Sequence, residues 1–326
     1  MKLQQLKYIC EVARCGLNVT DAATNLYTSQ PGISKQIRLL EEELGVQIFK
    51  RSGKHFSDIT PAGRAIIKRA EQVLLETRNI KDLAEEFADE GRGSLSIATT
   101  HTQACYALPP TIQQFRGRYP NVSLHIHMGT PMQIAEQAAS GDADFAIATE
   151  ALELFEDLVT LPCYHWNRCV VAPVGHPILN ETPLTLEQLA KYPIVTYVYG
   201  FTGRSKLDQA FAAEDLKANV VFTATDSTTL KTYARMGVGV GIMAKMAYDP
   251  ATDKDLGMLD ASHLFASSTS HIAFRRGALL RGFMYDFIES FAPHLTRELV
   301  DKATRLSSKH ERDELFAALL PKLMVR

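Results

Sequence analysis

The chain has 326 residues, of which 46% are hydrophobic and 22% charged, which is ordinary for a globular protein of two or three domains. No apolar run reaches the roughly 18 residues of a membrane span, and the first residues do not form a signal pattern, so we expect a cytoplasmic protein. The five cysteines have no CxxC spacing, which favours reduced thiols.

The formal net charge of -2 is unevenly distributed along the chain. Residues 1–69 contain 11 Lys+Arg against 6 Asp+Glu, whereas the other residues contain 24 against 31. A basic head on an acidic body favours a polyanionic partner for the head alone. The alternative is a chance fluctuation of charge.

The head is predicted to contain three helices. Apolar residues at helical spacing from Leu3 to Ala13 indicate a first helix that ends near Gly16. The stretch NVTDAATNLY indicates a short second helix capped by Asn18 or Thr20. A third helix is predicted to begin after Ser29, with a proline in its first turn, where the missing N–H costs little.

The third helix has two different faces. Ile33, Ile37, Leu40 and Leu44 form an aliphatic stripe that is predicted to pack inside the head, while three glutamates lie at the far end. The polar N-terminal half is typical of a helix that reads DNA bases and contacts phosphates. The residues predicted to contact DNA from this helix are Gln30, Pro31, Ser34, Lys35 and Arg38.

The stretch VQIFKRSGKHFSDI is predicted to form a two-stranded wing with a basic tip. Lys50, Arg51 and Lys54 would lie at this tip, where they suit phosphate or minor-groove contact. The alternative is a three-helix domain with solvated basic side chains. The short helix, tight turn, polarised third helix and basic wing together favour DNA binding.

These residues carry a resemblance to a known family. The stretch LYTSQPGISKQIRLLEEELGVQIFKRSGK, followed by TPAG, resembles the winged helix-turn-helix of the LysR-type transcriptional regulators. The resemblance implies a DNA-binding domain over 1–60, a linker and dimerisation helix over 61–92, and an effector-binding domain over 93–326. It also favours a homo-oligomer, a tetramer rather than a dimer.

The predicted linker helix has a long apolar face from Ile66 to Phe87. A helix of this length is predicted to lack a partner in its own head and to pair with the same helix of another subunit. A solvated single helix is the alternative, which the apolar face disfavours.

The remaining chain alternates strands with helices, so the predicted body is α/β, with two Rossmann-like subdomains of the periplasmic-binding-protein type. Lobe I is expected at about 93–163 and 268–326, and lobe II at about 164–267. Four strand ends carry hydroxyl residues, and three of these lead into a helix N-terminus that favours anions. A carboxylate, sulfate or acetylated amino acid would suit such a pocket. Ordinary N-capping explains any single junction equally well.

The body resembles one branch of the family, the CysB-type regulators of sulfur assimilation and cysteine synthesis, through motifs such as DFAIATEA, LPCYHWNR and TYVYGFTGRS. The motif IATTHTQACYALP departs from the branch at Cys105, where an arginine is expected. The resemblance implies an activator that binds promoter DNA and is induced by an acetylserine, with sulfide or thiosulfate opposing the inducer. Sulfate is a further candidate effector, and RNA polymerase is a candidate partner. The Cbl-type branch, tied to alkanesulfonate use, shares these motifs and stays open. The implied effector residues are Thr100, Thr102, Gln103, Thr149, Trp166 and Thr202, to which Ser227 is added as a further donor.

Other functional signals are weak. His125 and His127 share a strand face without a third ligand, so no metal site is predicted. The glycines of MGVGVGIMA follow a helix and enter a strand, the reverse of a dinucleotide-binding turn, and no cofactor is predicted. Two functions of another class remain as alternatives: a two-lobed protein that binds small anions, and an enzyme acting on an acetylated amino acid. No nucleophile paired with a base is visible, so no catalytic residue is predicted.

Overall fold

The computed structural model describes residues 1–53, 55–88, 91–201 and 203–326. The chain forms two compact units, Met1–Ala84 and Glu85–Arg326. Two residues of the predicted sites, Lys54 and Thr202, lie outside the described residues. Within the described ranges, no helix combines the length and apolar character needed to cross a membrane.

The first unit is the predicted winged helix-turn-helix. Its elements are α1 (Leu3–Arg14), α2 (Val19–Asn25), α3 (Gln30–Leu44), β1 (Phe49–Ser52), β2 (His55–Ile59) and α4 (Pro61–Ala88), whose final residues belong to the second unit. Asn18 caps α2 by accepting the N–H groups of Thr20 and Asp21, and Ser29 caps α3 by accepting that of Gly32. Helix α3 ends at Gly45, which adopts the left-handed conformation that glycine tolerates. The wing is an antiparallel pair of β1 and β2.

Helix α4 corrects the prediction that the linker helix has no partner in its own head. Ile67 and Ala70 are buried in the same apolar core as α1, α2 and α3, and Ile66 and Leu74 pack against it. The described residues leave the later apolar side chains largely exposed, since Ile80 is 69% exposed and Phe87 85%. The first turns of α4 therefore complete the head, and only the later turns offer an unpartnered apolar face.

Lobe I of the second unit is a five-stranded mixed sheet flanked by helices. Its strands are β3 (Gly93–Thr99), β4 (Val122–Met128), β5 (Phe145–Ala148), β6 (Leu158–Trp166) and β12 (Ser268–Arg275), in the order β4-β3-β5-β12-β6. Strand β3 pairs in parallel with β4 and β5, whereas β12 is antiparallel to β5 and β6. The helices of this lobe are α5 (Pro109–Arg118), α6 (Pro131–Ser140), α10 (Gly282–Phe291), α11 (Arg297–Arg305) and α12 (Lys309–Ala317).

Lobe II contains the second mixed sheet. Its strands are β7 (Arg168–Pro173), β8 (Ile194–Tyr197), β9 (Val220–Ala224), β10 (Val240–Ala244) and β11 (Leu256–Asp260), in the order β11-β7-β10-β8-β9. Its helices are α7 (Leu186–Ala190), α8 (Arg204–Ala213) and α9 (Ser227–Arg235). The chain passes between the lobes twice, from β6 to β7 and from β11 to β12, so the ends of these strands form the junction between them.

Candidate functional site

The N-terminal half of α3 presents the predicted DNA-contacting side chains to solvent. Gln30, Pro31, Lys35 and Arg38 are exposed, and Ser34 is half-buried. Gln30 Nε2 donates a hydrogen bond of 3.2 Å to Ser34 Oγ, which orients two side chains able to read base edges. On the opposite face Ile33, Ile37 and Leu40 are fully buried. The helix is thus anchored by one face while the other stays accessible to a duplex.

The end of α3 differs from its predicted arrangement. Leu44 is 39% exposed, whereas Glu41 turns inward and is only 9% exposed. The Glu41 carboxylate accepts the backbone N–H groups of Ile48 and Phe49 at 2.8 and 3.1 Å. It also forms an ion pair of 3.0 Å with Arg51. The positive charge of the wing residue Arg51 is therefore partly neutralised by Glu41. Glu41 in turn links the end of α3 to the wing.

A residue absent from the predicted DNA-binding set lies next to α3. Tyr27 occupies the turn between α2 and α3, with a positive φ of 50° and a side chain that is 98% exposed. An exposed aromatic ring at the start of such a helix is an additional candidate for backbone contact. Its position could have been inferred from the turn at Tyr27-Thr28, but the turn itself carries no signal of exposure.

The predicted effector residues converge at the junction of the lobes. Thr100, Thr102 and Gln103 follow the end of β3, and all three are buried. Trp166, at the end of β6, is also buried and donates its indole N–H to Thr149 Oγ1 at 3.1 Å. Residues separated by tens of positions in the chain thus form one polar group at the sheet edge where α/β proteins bind ligands.

Gln103 belongs to a hydrogen-bonded chain that the sequence analysis did not anticipate. Its Nε2 donates to Ser270 Oγ at 2.9 Å, and its Oε1 accepts the phenolic O–H of Tyr164. Gln103 also begins a π-helical turn, Gln103–Ala107, a rare conformation that is frequent at functional sites. The Gln103 amide is therefore held in a defined orientation at the junction of the lobes.

Thr102 has a buried hydroxyl without a satisfactory partner. Its side chain is 2% exposed, and among the described residues Thr102 Oγ1 has no partner at hydrogen-bond geometry. The hydroxyl lies near that of Tyr197 in lobe II, outside hydrogen-bond geometry, and it opposes the rise in the tyrosine pKa that burial causes. A buried polar atom left without a hydrogen bond costs about 1–3 kcal/mol. A ligand that accepts this hydroxyl would remove that cost.

Lobe II contributes groups to the junction in a different way from that predicted. Ser227 Oγ is hydrogen-bonded to the Tyr197 hydroxyl at 2.6 Å. The N-terminus of α9 is capped by the carboxylate of Asp226, which accepts the N–H of Thr229 at 2.8 Å. The N–H of Gly203, at the start of α8, donates to the Glu150 carboxylate of lobe I. Two of the helix N-termini predicted to attract an anion thus already hold a carboxylate of the protein.

Arg168 is a buried cation at the junction that the sequence analysis missed. Its Nη2 donates to the Gly203 carbonyl at 2.8 Å and to Ser268 Oγ at 3.1 Å, and its guanidinium lies 4.9 Å from the centre of the Trp166 ring. Burial lowers its pKa to about 10, so the group remains charged at neutral pH, and the nearby Glu150 carboxylate favours that charge. The only available signal was its position directly after the lobe junction, in HWNR.

Helix α9, which carries Ser227, is anchored by buried charges. Asp253 accepts hydrogen bonds from Lys231 Nζ at 2.8 Å and from Arg235 Nη2 at 2.6 Å. Lys231 and Asp253 are both buried, with side chains 9% and 3% exposed. Burial acts to raise the pKa of Asp253, but these donors and cations outweigh it and hold the pKa below its ordinary value.

The ion pair predicts a pH dependence of stability. Because the folded-state pKa of Asp253 is lowered, its stabilising contribution is complete above the unfolded-state value of about 3.9 and is lost as the pH falls below it. Asp253→Asn is expected to lower the free energy of unfolding by about 3 kcal/mol at pH 7, with a difference that narrows towards pH 3. Urea unfolding at each pH measures this. The control Asp255→Asn removes a 60% exposed partner of Arg235 and should change stability by less than about 1 kcal/mol. If the free energies of unfolding of wild type and Asp253→Asn differed by the same amount at every pH, the proposed contribution of the Asp253 carboxylate would be contradicted.

A separate cavity of about 650 Å³ lies in lobe I beneath α12. His271, Arg276 and Arg312 are among its lining residues, and it includes none of the predicted effector residues. On the edge strand β4, His125 and His127 are exposed, and the described part of the chain holds no cluster of three or more His, Cys, Asp or Glu suited to a metal ion.

Comparison with known proteins identifies the family. Residues 3–64 match the family model of the bacterial regulatory helix-turn-helix proteins of the lysR family, and residues 88–296 match that of the LysR substrate binding domain. The chain belongs to the LysR family of transcriptional regulators. Its head is accordingly a DNA-binding helix-turn-helix domain, and the two-lobed α/β unit is the substrate-binding domain of such a regulator.

Individual relatives within the LysR family cover nearly the whole chain. The HTH-type transcriptional regulator CysB of Haemophilus influenzae is 53% identical over 319 residues, which is 98% of each chain. The regulator SsuR of Burkholderia cenocepacia is 49% identical and covers 90% of this chain and 96% of that protein. The crystal structure of the cofactor-binding domain of the Cbl transcriptional regulator matches with a TM-score of 0.64 and 39% identity, over 66% of this chain and 95% of that one.

Proposed function

We propose that this LysR-family regulator is a CysB-like activator of genes for sulfate assimilation and cysteine biosynthesis, working in the cytoplasm. The observation that carries the proposal is the 53% identity to CysB of Haemophilus influenzae across 98% of both chains, head and body alike. A match confined to the head would support DNA binding alone. Because the likeness extends through the lobe junction, it supports a similar class of effector as well.

The head binds promoter DNA through α3. Gln30 and Ser34 are the candidates for base contact, while Lys35, Arg38 and the wing residue Arg51 supply positive charge to phosphates. Arg38 forms an exposed ion pair of 3.5 Å with Glu42, which a phosphate can replace at little cost. Lys54, which is outside the described residues, belongs to the same proposed set.

The effector binds among the buried polar groups of the lobe junction. The hydroxyls of Thr100, Thr102 and Thr149 and the second amide N–H of Gln103 are donors without formal charge, so they suit a small, fully desolvated anion that accepts several hydrogen bonds. Trp166 belongs to the site by orienting the Thr149 hydroxyl, which accepts its indole N–H. Acetylserine, sulfate and thiosulfate share that chemistry. Arg168, behind the Trp166 ring, supplies a positive potential without direct contact. Thr202 is included in the proposal although it is not among the described residues, and Ser227 contributes through Tyr197.

The effector controls DNA binding by favouring one arrangement of the lobes. Since the proposed set adds Thr202 and Ser227 of lobe II to the residues of lobe I, a bound anion would stabilise the arrangement in which the two groups lie closest. The exposed apolar residues of the later turns of α4, including Ile80 and Leu83, suit pairing with a second subunit, and paired heads would read a dyad-related site. We propose a homotetramer, with RNA polymerase as the partner through which activation proceeds.

A second candidate function is a Cbl-like regulator of alkanesulfonate use. The observation that favours it is the 39% identity to the Cbl cofactor-binding domain over 95% of that domain. The two functions differ in their target promoters, so the choice of promoter separates them. Enzymatic turnover has no support from the junction residues, which are mainly hydroxyls and amides.

Footprinting tests the proposed function directly. The full-length protein is incubated with its own upstream region, with promoters of cysteine-biosynthesis genes and with promoters of alkanesulfonate genes, each with and without N-acetylserine. The proposal expects protection of the cysteine promoters and a change in the protected region when N-acetylserine is added. Protection of the alkanesulfonate promoters alone would favour the Cbl-like function, and no protection of any of these promoters would contradict both.

A further inference from the structure

The segment Leu320–Arg326 is bound to the strand that carries part of the proposed effector site. The N–H of His165, in β6, donates to the Met324 carbonyl at 2.9 Å, and the N–H of Arg326 donates to the His165 carbonyl at 2.9 Å. Val325 forms a parallel bridge with His165. His165 Nε2 is also hydrogen-bonded to the Leu320 carbonyl at 2.7 Å. The segment therefore extends the sheet at the end of its edge strand β6.

The Arg326 side chain continues from this strand to the π-helical turn. Its Nη1 donates to the carbonyl of Ala107, the last residue of the turn, at 2.9 Å. Its Nη2 donates to the carbonyl of Phe291 at 3.0 Å. The guanidinium lies 4.4 Å from the centre of the Tyr164 ring, in the geometry of a cation–π contact. One side chain thus joins the π turn, α10 and β6.

Two of the groups that Arg326 contacts, the π turn and the Tyr164 side chain, are connected to Gln103. The π turn begins at Gln103 and ends at Ala107. The Tyr164 hydroxyl donates to Gln103 Oε1, and Gln103 Nε2 donates to Ser270. Burial raises the pKa of Tyr164 to about 12, so it remains a phenol and keeps its proton for this bond. The guanidinium consequently acts on the Gln103 amide by two routes, one through the backbone and one through the phenol.

We propose that Arg326 is a positioning residue for effector binding. It fixes the end of the π turn and the Tyr164 ring, and through them it orients the Gln103 amide and the adjoining Thr102 hydroxyl towards the ligand. A π turn is an uncommon conformation, and the carbonyl of the last residue of this turn accepts a hydrogen bond from Arg326. The planar guanidinium fork suits this role because it donates to two carbonyls and stacks on a ring at once. The inference rests on the proposed function, since it assumes that Gln103 contacts the effector.

The test compares effector binding by the full-length wild type, Arg326→Ala and Arg326→Lys. Arg297→Ala is the matched control, because Arg297 lies 4.6 Å from the Tyr285 ring in the same lobe but contacts none of the proposed effector residues. The probes are N-acetylserine and sulfate, titrated by calorimetry, with thermal unfolding and DNA binding without effector measured on each variant. Trp166 is the only tryptophan, so its emission reports the site itself during each titration.

Arg326→Ala is expected to bind both probes about tenfold more weakly, with a smaller change of Trp166 emission, while DNA binding without effector is unchanged. Arg326→Lys should recover part of the affinity, because an ammonium can donate to the Ala107 carbonyl but cannot span both carbonyls. Arg297→Ala should bind the probes with wild-type affinity. Wild-type affinity in Arg326→Ala, or an equal loss in Arg297→Ala, would overturn the inference.

Tyr164→Phe keeps the inference testable if Arg326→Ala does not fold. This variant retains the ring beneath the guanidinium and removes only the hydroxyl that donates to Gln103. It is expected to weaken both probes about threefold to tenfold. Unchanged affinity would exclude the route through the phenol, and unchanged affinity in both Tyr164→Phe and Arg326→Lys would overturn the inference. If the wild type binds neither probe, the proposed function fails, and the failure is then independent of Arg326.

Discussion

Thr102→Val is expected to weaken the binding of N-acetylserine and sulfate by about tenfold to a hundredfold while raising the free energy of unfolding by about 1 kcal/mol. The loss of effector affinity and the gain in stability have the same cause. The wild-type hydroxyl is 2% exposed and, within the described chain, is not satisfied by a hydrogen bond, so the fold bears a cost that the effector removes. Valine has the shape of threonine without the polar atom. The substitution therefore removes the cost of the buried hydroxyl to stability and also removes the hydrogen bond to the effector.

Thr196→Val is the control for this prediction. Thr196 is equally buried, but its hydroxyl donates to the Ile242 carbonyl at 2.9 Å within lobe II. Its removal should lower stability by about 1 kcal/mol and leave effector affinity unchanged. Calorimetric titration gives the effector affinity of each variant, and urea unfolding gives its free energy of unfolding. A Thr102→Val protein with wild-type affinity for both probes would remove Thr102 from the effector site.

Lys35→Ala and Gln30→Ala are expected to weaken DNA binding in two distinguishable ways. Lys35 is exposed on α3 and is proposed to contact a phosphate, so its removal should lower affinity about tenfold for every sequence and reduce the salt slope by about one ion. Gln30, held by its hydrogen bond to Ser34, is proposed to read a base edge. Its removal should cost about 1–3 kcal/mol on the preferred site and little on other DNA.

Gel-shift titrations at several salt concentrations, on specific and unrelated duplexes, separate these two effects. Lys7→Ala is a charge-matched control, since Lys7 is exposed on α1 rather than on α3. It should leave both the salt slope and the sequence preference nearly unchanged. An equal loss in Lys7→Ala and Lys35→Ala would indicate that only the net charge of the head matters, and would argue against groove insertion of α3.

The sequence predicted the elements that follow simple local rules. The capping residues Asn18 and Ser29, the fully buried Ile33 and Ile37, and the alternation of strands and helices after residue 93 all follow from periodicity and short-range hydrogen bonding. Strand β6 was missed because LVTLPCYHW contains a proline, which normally argues against a strand interior. The structure accommodates Pro162 opposite a register shift between Ser270 and His271 of β12. Strands β11 and β12 were missed as well.

The polar groups of the site were predictable only in part. Hydroxyls at strand ends predicted Thr100, Thr102 and Thr149 as candidates, because the location of a ligand edge follows from the order of strands and helices. The partners that orient them come from distant positions in the chain. Tyr164 and Ser270 meet at Gln103 only because β12 pairs with β6, and no spacing in the sequence specifies that contact.

Charge pairs between residues distant in the sequence could not be predicted from local sequence patterns either. Glu41 was predicted only as one of three glutamates at the far end of α3, whereas it accepts two backbone N–H groups and pairs with Arg51 of the wing. A carboxylate in a run of three glutamates gives no local indication of which one turns inward. The same holds for Glu150, whose carboxylate accepts the N–H of Gly203 from the other lobe.

The central claim is that effector binding in the body and DNA binding by the head are coupled, and reciprocity tests it most directly. The dissociation constant of N-acetylserine is measured by Trp166 fluorescence with and without a saturating duplex that footprinting has identified, and the DNA affinity is measured with and without saturating N-acetylserine. Thermodynamic linkage requires the two ratios to be equal, and a coupling of about 1–3 kcal/mol corresponds to a change of about 5-fold to 150-fold in each. We expect equal ratios in this range. An N-acetylserine affinity that is identical with and without the bound duplex would contradict the account.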